Sequence, residues 1–309
     1  MVFKRQKMKK NQNRLIIDCS SLIYSAFFTQ GALSYNGQKT GVIFGFLKKV
    51  LSICKEFETN KIYFCWDTDK KDSKRKKEYP EYKENRNVNK KSDEEKYQIE
   101  LMLKQAIELH DIVLPSIGFK NLFQQIGFEA DDLMALIAKG FNDPNNVIMI
   151  TADADMYQCL DLCSIVNPSS MGKMTAKKLL EEYKVTPTQW PICKSIGGCT
   201  GDNVIGIRGV SDPKKKTSKA MKYICGDIKK GIIYDRITSD DGQKIIHRNL
   251  PIVTLPYKES EIKPILIRRD KITKQKLINA FDKYKFKSLL TFDNFKQWEK
   301  IFCNSIKTI

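Results

Sequence analysis

The chain has 309 residues, 41% hydrophobic and 29% charged, enough to bury a full α/β core with room for a second helical lobe. Its 54 Lys and Arg against 36 Asp and Glu leave a formal charge of +18, which points to a polyanionic partner, nucleic acid ahead of a membrane surface. Nine cysteines without a C-x-x-C pair, and two distant histidines, His110 and His247, argue against a zinc site.

The basic start, Lys4 to Arg14, leads into Leu15-Ile16-Ile17-Asp18, a short apolar strand that ends in an acid. No A-x-A cleavage site and no run approaching a membrane span appears, so a soluble, cytoplasmic protein is expected. In that reducing setting Cys19, Cys65 and Cys159 read as packing residues. A helix is expected to begin after the Ser20-Ser21 caps. A second covers about Gly41 to Phe57, with Val42, Phe46, Leu47, Val50, Leu51 and Cys54 on its apolar face. Lys61 to Asp67 is another hydrophobic strand ending in an acid. Strand, helix, strand with short links indicates a parallel sheet.

Lys70 to Lys91 is the most basic stretch, holding Lys74, Arg75, Lys76, Lys77, Lys83 and Arg86 among others. A solvated linker is the ordinary reading of such a run. Interleaved Tyr79 and Tyr82 favour a single-strand clamp instead, with cations for phosphates and rings for bases. A helix follows over about Asp93 to Leu109.

Leu122 to Phe128 alternates as a strand and Leu133 to Ala138 reads as a buried helix, with Glu129-Ala130-Asp131-Asp132 at the junction. Capping accounts for Glu129 or Asp131, but not for three acids in four residues, whose repulsion is costly unless a cation sits among them. Val147 to Thr151 is a buried strand running into Asp153 and Asp155, and Ser164 to Asn167 a weaker one. Helices are expected near Thr175–Tyr183 and Pro187–Ile196.

Gly197 to Val210 carries five glycines in its first 13 residues and includes Asp202, Gly206 and Gly209. Such a loop lets backbone approach a ligand closely, and Lys214, Lys215, Lys216, Lys219 and Lys222 at the start of the next helix suit backbone phosphates. Leu250 to Pro256 reads as an extended segment, and Thr273 to Tyr284 as a basic helix.

Asp18, Asp67, Glu129, Asp131, Asp132, Asp153, Asp155 and Asp202 thus gather at strand ends and in a glycine loop. Oxygen ligands with almost no histidine select hard cations, Mg²⁺ or Mn²⁺. Two such ions suit phosphodiester hydrolysis.

The chain resembles the 5′ nuclease family, which includes bacteriophage flap endonucleases and exonucleases and the 5′ nuclease domain of bacterial DNA polymerases. The resemblance rests on Ile17-Asp18, Trp66-Asp67, Pro80-Glu81-Tyr82-Lys83-Glu84-Asn85-Arg86, Glu129-Ala130-Asp131-Asp132, Thr151-Ala152-Asp153-Ala154-Asp155 and Gly201-Asp202-Asn203, in order over about residues 14–225. It implies a PIN-like α/β fold: a mainly parallel, twisted sheet flanked by helices, with a helical arch and a helix–two-turn–helix lobe. The implied division is a nuclease domain over 14–170, with the arch near 68–110, a DNA-binding region over 171–309 and a basic tail over 1–13. The resemblance places Asp18, Asp67, Glu129 and Asp131 around one Mg²⁺, and Asp132, Asp153, Asp155 and Asp202 around a second. Mn²⁺ is an expected substitute. It sets Lys83 and Arg86 at the base of the arch, on the scissile phosphate. Tyr82, Lys74, Arg75, Gly206, Gly209, Lys214, Lys215, Lys216 and Lys219 are the expected DNA contacts, with K⁺ at the glycine loop.

Two departures stand out. Cys199 replaces the first acid of the family's Gly-Asp-x-x-Asp-Asn, so weaker metal binding is expected at the second site. The loop ends in Ser211 and carries extra residues, Asp212 to Lys216, which alters the K⁺ contacts. No polymerase-like sequence accompanies the chain, so a stand-alone, phage-type, monomeric enzyme is expected. It would act as a 5′→3′ exonuclease and flap endonuclease on flapped, branched or nicked DNA, with RNA–DNA hybrid as a further substrate. The competing readings are a branched-DNA-binding module weakened in catalysis, which Cys199 favours, and a nuclease of related fold that cuts RNA.

Overall fold

A computed structural model describes residues 12–35, 37–68, 72–86, 92–210, 213 and 218–303. The chain opens with β1 (Arg14–Asp18) and α1 (Cys19–Gln30). A hairpin of β2 (Ser34–Tyr35) and β3 (Gln38–Lys39) leads into α2 (Gly41–Glu56) and β4 (Ile62–Cys65). Next come α3 (Lys74–Glu78), α4 (Asp93–Glu108), α5 (Leu114–Ile117), β5 (Leu122–Phe123) and α6 (Ala130–Lys139). The sheet is completed by β6 (Val147–Ile150), β7 (Ser164–Val166) and β8 (Lys173–Met174).

The six strands lie in the order β5-β4-β1-β6-β7-β8, parallel throughout except for β8. Their residues alternate between two cores, as the two-residue side-chain period requires. Leu15, Ile17, Ile62, Phe64, Ile148 and Ile150 enter one core with α1, α2, α12 (Lys274–Lys283) and α13 (Phe292–Trp298). Ile16, Tyr63, Cys65, Val147 and Met149 enter the other, with α6, α7 (Ala176–Tyr183) and α8 (Trp190–Gly197). Both faces are covered, so the strands are apolar runs and polar groups collect at their ends. Because β4, β1 and β6 are adjacent and parallel, Asp18, Asp67 and Asp153 emerge at one edge, where open α/β sheets bind ligands.

Beyond the sheet a short hairpin, β9 (Gly198–Cys199) and β10 (Val204–Ile205), precedes α9 (Lys219–Ile224), α10 (Ile232–Thr238) and α11 (Asp240–Val253). Several helix starts follow the capping residues in the sequence. Ser92 and Glu95 form a reciprocal box at α4, and Thr175 and Thr273 cap α7 and α12.

Three elements differ from expectation. The N-cap of α1 is Asp18, whose carboxylate accepts from the Ser21 N–H, so the helix starts before the two serines. The strand expected over Leu122–Phe128 stops at Phe123, because the chain turns through Gly127 at φ 93° to reach α6. Leu250 to Val253, read as extended, is the last turn of α11. There the fully buried Asn249 donates to the carbonyls of Ser195 and Ile205 and ties the helix to its neighbours.

Candidate active site

Four carboxylates crowd the edge of the sheet without a matching number of cations. Asp18 closes β1 and is 7% exposed, accepting from Ser21 and Thr151 hydroxyls. Asp67 follows β4 and accepts from the Ala130 N–H at the start of α6, 2.9 Å away. Asp131 stands in the first turn of α6, and Asp153 caps the turn after β6. Burial, then the Asp67 carboxylate, hold Asp18 above the usual range. Burial, then Asp153, Asp18 and Asp67, raise Asp131 well above it, with Lys83 as the opposing cation. Burial and Asp155 push Asp153 up to about 6. Mutual repulsion of this kind is what a bound cation relieves. The donor set is all oxygen and fits a hard divalent ion.

That burial and repulsion together have a measurable consequence. A folded Asp153 keeps its proton to about pH 6, whereas the ordinary value is 3.8. Metal-free stability should therefore fall as pH rises across that window, with the deficit complete above it. Asp153→Asn does not titrate. Its Tm in EDTA should gain on wild type between pH 4 and pH 7.5; a gap independent of pH would contradict the raised titration of Asp153.

Glu129 and Asp132, expected beside these acids as metal ligands, are held by basic side chains. Lys83 Nζ lies 2.7 Å from Glu129 Oε1, and the Tyr82 hydroxyl donates to Oε2 at 3.0 Å. Burial would raise Glu129, but Lys83, Arg75 and these hydrogen bonds outweigh it and hold the carboxyl below the usual range. Asp132 is fully buried, with both oxygens 2.7 Å from Arg75 nitrogens and a further bond from the Glu129 N–H. It is an internal salt-bridge partner and helix cap, with both carboxylate oxygens engaged by Arg75.

The loop carrying Lys83 and Arg86 interlocks with the glycine loop. The Lys83 N–H donates to the Asp202 carbonyl, Arg86 Nε to Gly201 and the Asn203 amide to Glu81. Arg86 Nη2 lies 2.6 Å from Asp202 Oδ1. Lys83 has φ 56°, a left-handed conformation that a residue with Cβ adopts at a cost, and such strain gathers at functional sites. Burial opposes its charge, yet Glu129 and Asp202 hold the ammonium above its ordinary range.

Asp155, Cys199 and Asp202 bring one oxygen, one sulfur and one oxygen within 4.8 Å of each other. Lys194, which sequence reading passed over, is 1% exposed and places Nζ 2.6 Å from Asp155 Oδ1 and 3.6 Å from Cys199 Sγ. Its i, i+5 spacing to Cys199 and its place in an apolar helix are the only sequence signals of a buried cation.

Several expected DNA contacts are turned inward. Arg75 is 2% and Tyr82 4% exposed, so neither is free to meet phosphates or stack on bases, and Tyr79 is buried as well. Lys74 reaches the Phe128 ring and Glu261, leaving Lys76 and Lys77 as the exposed cations of α3. A Cβ on Gly198 or Gly206 would strike the facing backbone at 2.4 Å or less, at the Val204 carbonyl oxygen and Gly197 respectively. These two positions therefore require glycine for the loop's own close packing. Gly209 and Lys219 are exposed, joined by a bond from Nζ to the Gly209 carbonyl. Lys214, Lys215, Lys216 and Ser211 lie outside the described residues. Cys19, Cys65 and Cys159 are buried, as expected of packing residues.

A family model described as the 5′-3′ exonuclease, N-terminal resolvase-like domain matches residues 13–184. A 5′-3′ exonuclease of Aquifex aeolicus is 31% identical over 211 residues, covering 67% of this chain and 68% of that protein. DNA polymerase I of Mycobacterium tuberculosis is 28% identical over 207 residues, 64% of this chain and 22% of that one. The chain thus spans about a fifth of the length of such polymerase relatives. The zinc-bound 5′-exonuclease of phage T5 shares the fold, with TM-score 0.66 at 20% identity over 90% of this chain and 99% of that one. So does the DNA-bound catalytic core of Rad2, with TM-score 0.53 at 14% identity over 96% and 93% of the two chains. The PIN-like architecture expected from the sequence is thereby established. Among the described residues, no helix is long and apolar enough to cross a membrane.

Proposed function

Because the chain belongs to the 5′-3′ exonuclease family, whose model covers more than half of it, we propose that it is a metal-dependent 5′ nuclease cleaving DNA. The observation that carries this reading is the convergence of Asp18, Asp67, Asp131 and Asp153 at one sheet edge, with Lys83 and Arg86 at its rim. Asp18, Asp67, Asp131 and Asp153 would hold one divalent ion, and Asp155 and Asp202 beside Cys199 a second. Two Mg²⁺ ions, or Mn²⁺ in their place, would supply an activated water and offset charge on the phosphodiester. Lys83 and Arg86 exchange their carboxylate partners for the phosphate oxygens of the bound strand, so they hold the reacting group in line with the acids. The surplus charge of +18 draws a duplex and its 5′ tail to the surface. Flapped, nicked and branched DNA are the proposed substrates, with K⁺ at the glycine loop a further cofactor.

One observation favours the weaker-catalysis reading. Lys194 already neutralises Asp155 where Cys199 stands in place of an acid, so the second ion has poor ligands. A single assay addresses both. A 5′-labelled flap is incubated with wild type and Cys199→Asp over a Mg²⁺ series, with EDTA as control. Cleavage that needs Mg²⁺, and a lower half-maximal Mg²⁺ for the variant, is expected. Absence of Mg²⁺-dependent cleavage by either protein contradicts the nuclease reading; an unmoved half-maximum leaves Cys199 as packing.

A further inference from the structure

The guanidinium of Arg75 is the most heavily engaged cation beside the site, yet it faces no solvent. Nη1 and Nη2 each lie 2.7 Å from an oxygen of Asp132, and Nε donates to the Ile252 carbonyl at 2.9 Å. Nη1 also reaches Glu129 Oε2 at 3.4 Å, and the fork lies 4.7 Å from the centre of the Tyr257 ring. Asp132 accepts in addition from the Tyr257 N–H at 2.8 Å. The Tyr257 hydroxyl returns to α3 by donating to Glu78 Oε2. Arg75 therefore joins three parts of the chain: the helix preceding Lys83, the first turn of α6, and the segment from Ile252 to Tyr257.

A buried Arg–Asp pair is weak ground for stability, since an apolar pair of similar volume usually holds a fold as well or better. What the fork offers instead is direction: its planar N–H groups, bonded to Asp132, Glu129 and the Ile252 carbonyl, fix the orientation of α3 against α6. Tyr82 and Lys83 follow α3 closely in the chain, and both end on Glu129, which Arg75 also touches. We propose that Arg75 is a positioning residue. With Asp132 and the Ile252–Tyr257 brace, it sets the seat of α3 so that Lys83 stands over the carboxylate cluster. This rests on the nuclease reading for its effect on rate, but the placement of Lys83 can be measured without activity.

The test uses the full chain with Arg75→Met and Asp132→Leu together, which removes both buried charges and puts an apolar, somewhat larger pair in their place. The Tm is expected to fall, because the Tyr257 and Glu129 N–H groups and the Ile252 carbonyl lose their side-chain partners, while affinity for a 5′ flap in EDTA should change by less than about threefold. Single-turnover cleavage should fall by about 100-fold, the scale of a 1 Å misplacement. Acetylation of Lys83, followed by mass spectrometry in EDTA without DNA, should rise several-fold as its partner moves away. If Lys83 labelling stays at the wild-type level, the proposal is overturned whatever the activity. If wild type cleaves and the double variant cleaves as fast, it is overturned while the nuclease reading stands. Should the double variant not fold, Arg75→Lys keeps the charge without the fork and is judged by the same labelling and rate outcomes.

Discussion

Asp153→Asn should lower single-turnover cleavage of a 5′ flap by on the order of 10³-fold or more, the scale on which one member of a catalytic unit acts. Affinity for the same DNA in EDTA should stay within a few-fold, because phosphate contacts come from cations elsewhere on the surface. The carboxylate lies at the end of a buried strand, so its conversion to an amide removes charge without opening a cavity. It also relieves repulsion with Asp131 and Asp155. The variant should therefore be more stable than wild type at neutral pH without metal, and nearly inactive with it. Such opposition between stability and activity is expected where like charges are held together for function. Loss of activity through misfolding would instead lower the Tm.

Lys83→Ala should reduce the single-turnover rate by about 10² to 10³, the effect of removing one preorganised donor from a developing anion. Binding should weaken only a few-fold. The backbone bond from the Lys83 N–H to Asp202 survives the change, so the two loops stay joined and the loss falls on the ammonium alone. An equal loss in affinity and an unchanged rate at saturating enzyme would make Lys83 an ordinary phosphate anchor.

The sheet was legible because its strands are buried on both faces and read as short apolar runs closed by acids, as at Ile16-Ile17-Asp18 and Met149 to Asp153. That pattern put the acidic edge in the right place before any topology was known. Partners across the chain were not legible. Nothing near Asp132 in sequence distinguishes it from Asp131, yet one residue of helical rotation turns it from the cluster to Arg75, 57 positions away. Arg75 and Tyr82 read as DNA contacts because a basic, aromatic run looks the same whether its side chains face solvent or core. Lys194 lay hidden for a related reason: its counter-charge, Asp155, is supplied by a distant strand end. A third feature hidden in the sequence is the loop's own packing: Gly198 and Gly206 lie so close that each admits no Cβ.

The central claim is that the crowded carboxylates form a divalent-cation site. It is tested most directly by titrating Mn²⁺ into metal-free wild type and Asp131→Asn at pH 7.5, following bound ion by calorimetry without DNA. Asp131 is raised by burial and by three neighbouring acids, so its removal should cost the site both a ligand and much of its field. The account predicts saturable binding in wild type that weakens by at least about tenfold, or loses an equivalent, in the variant. Superimposable isotherms for the two proteins would contradict it.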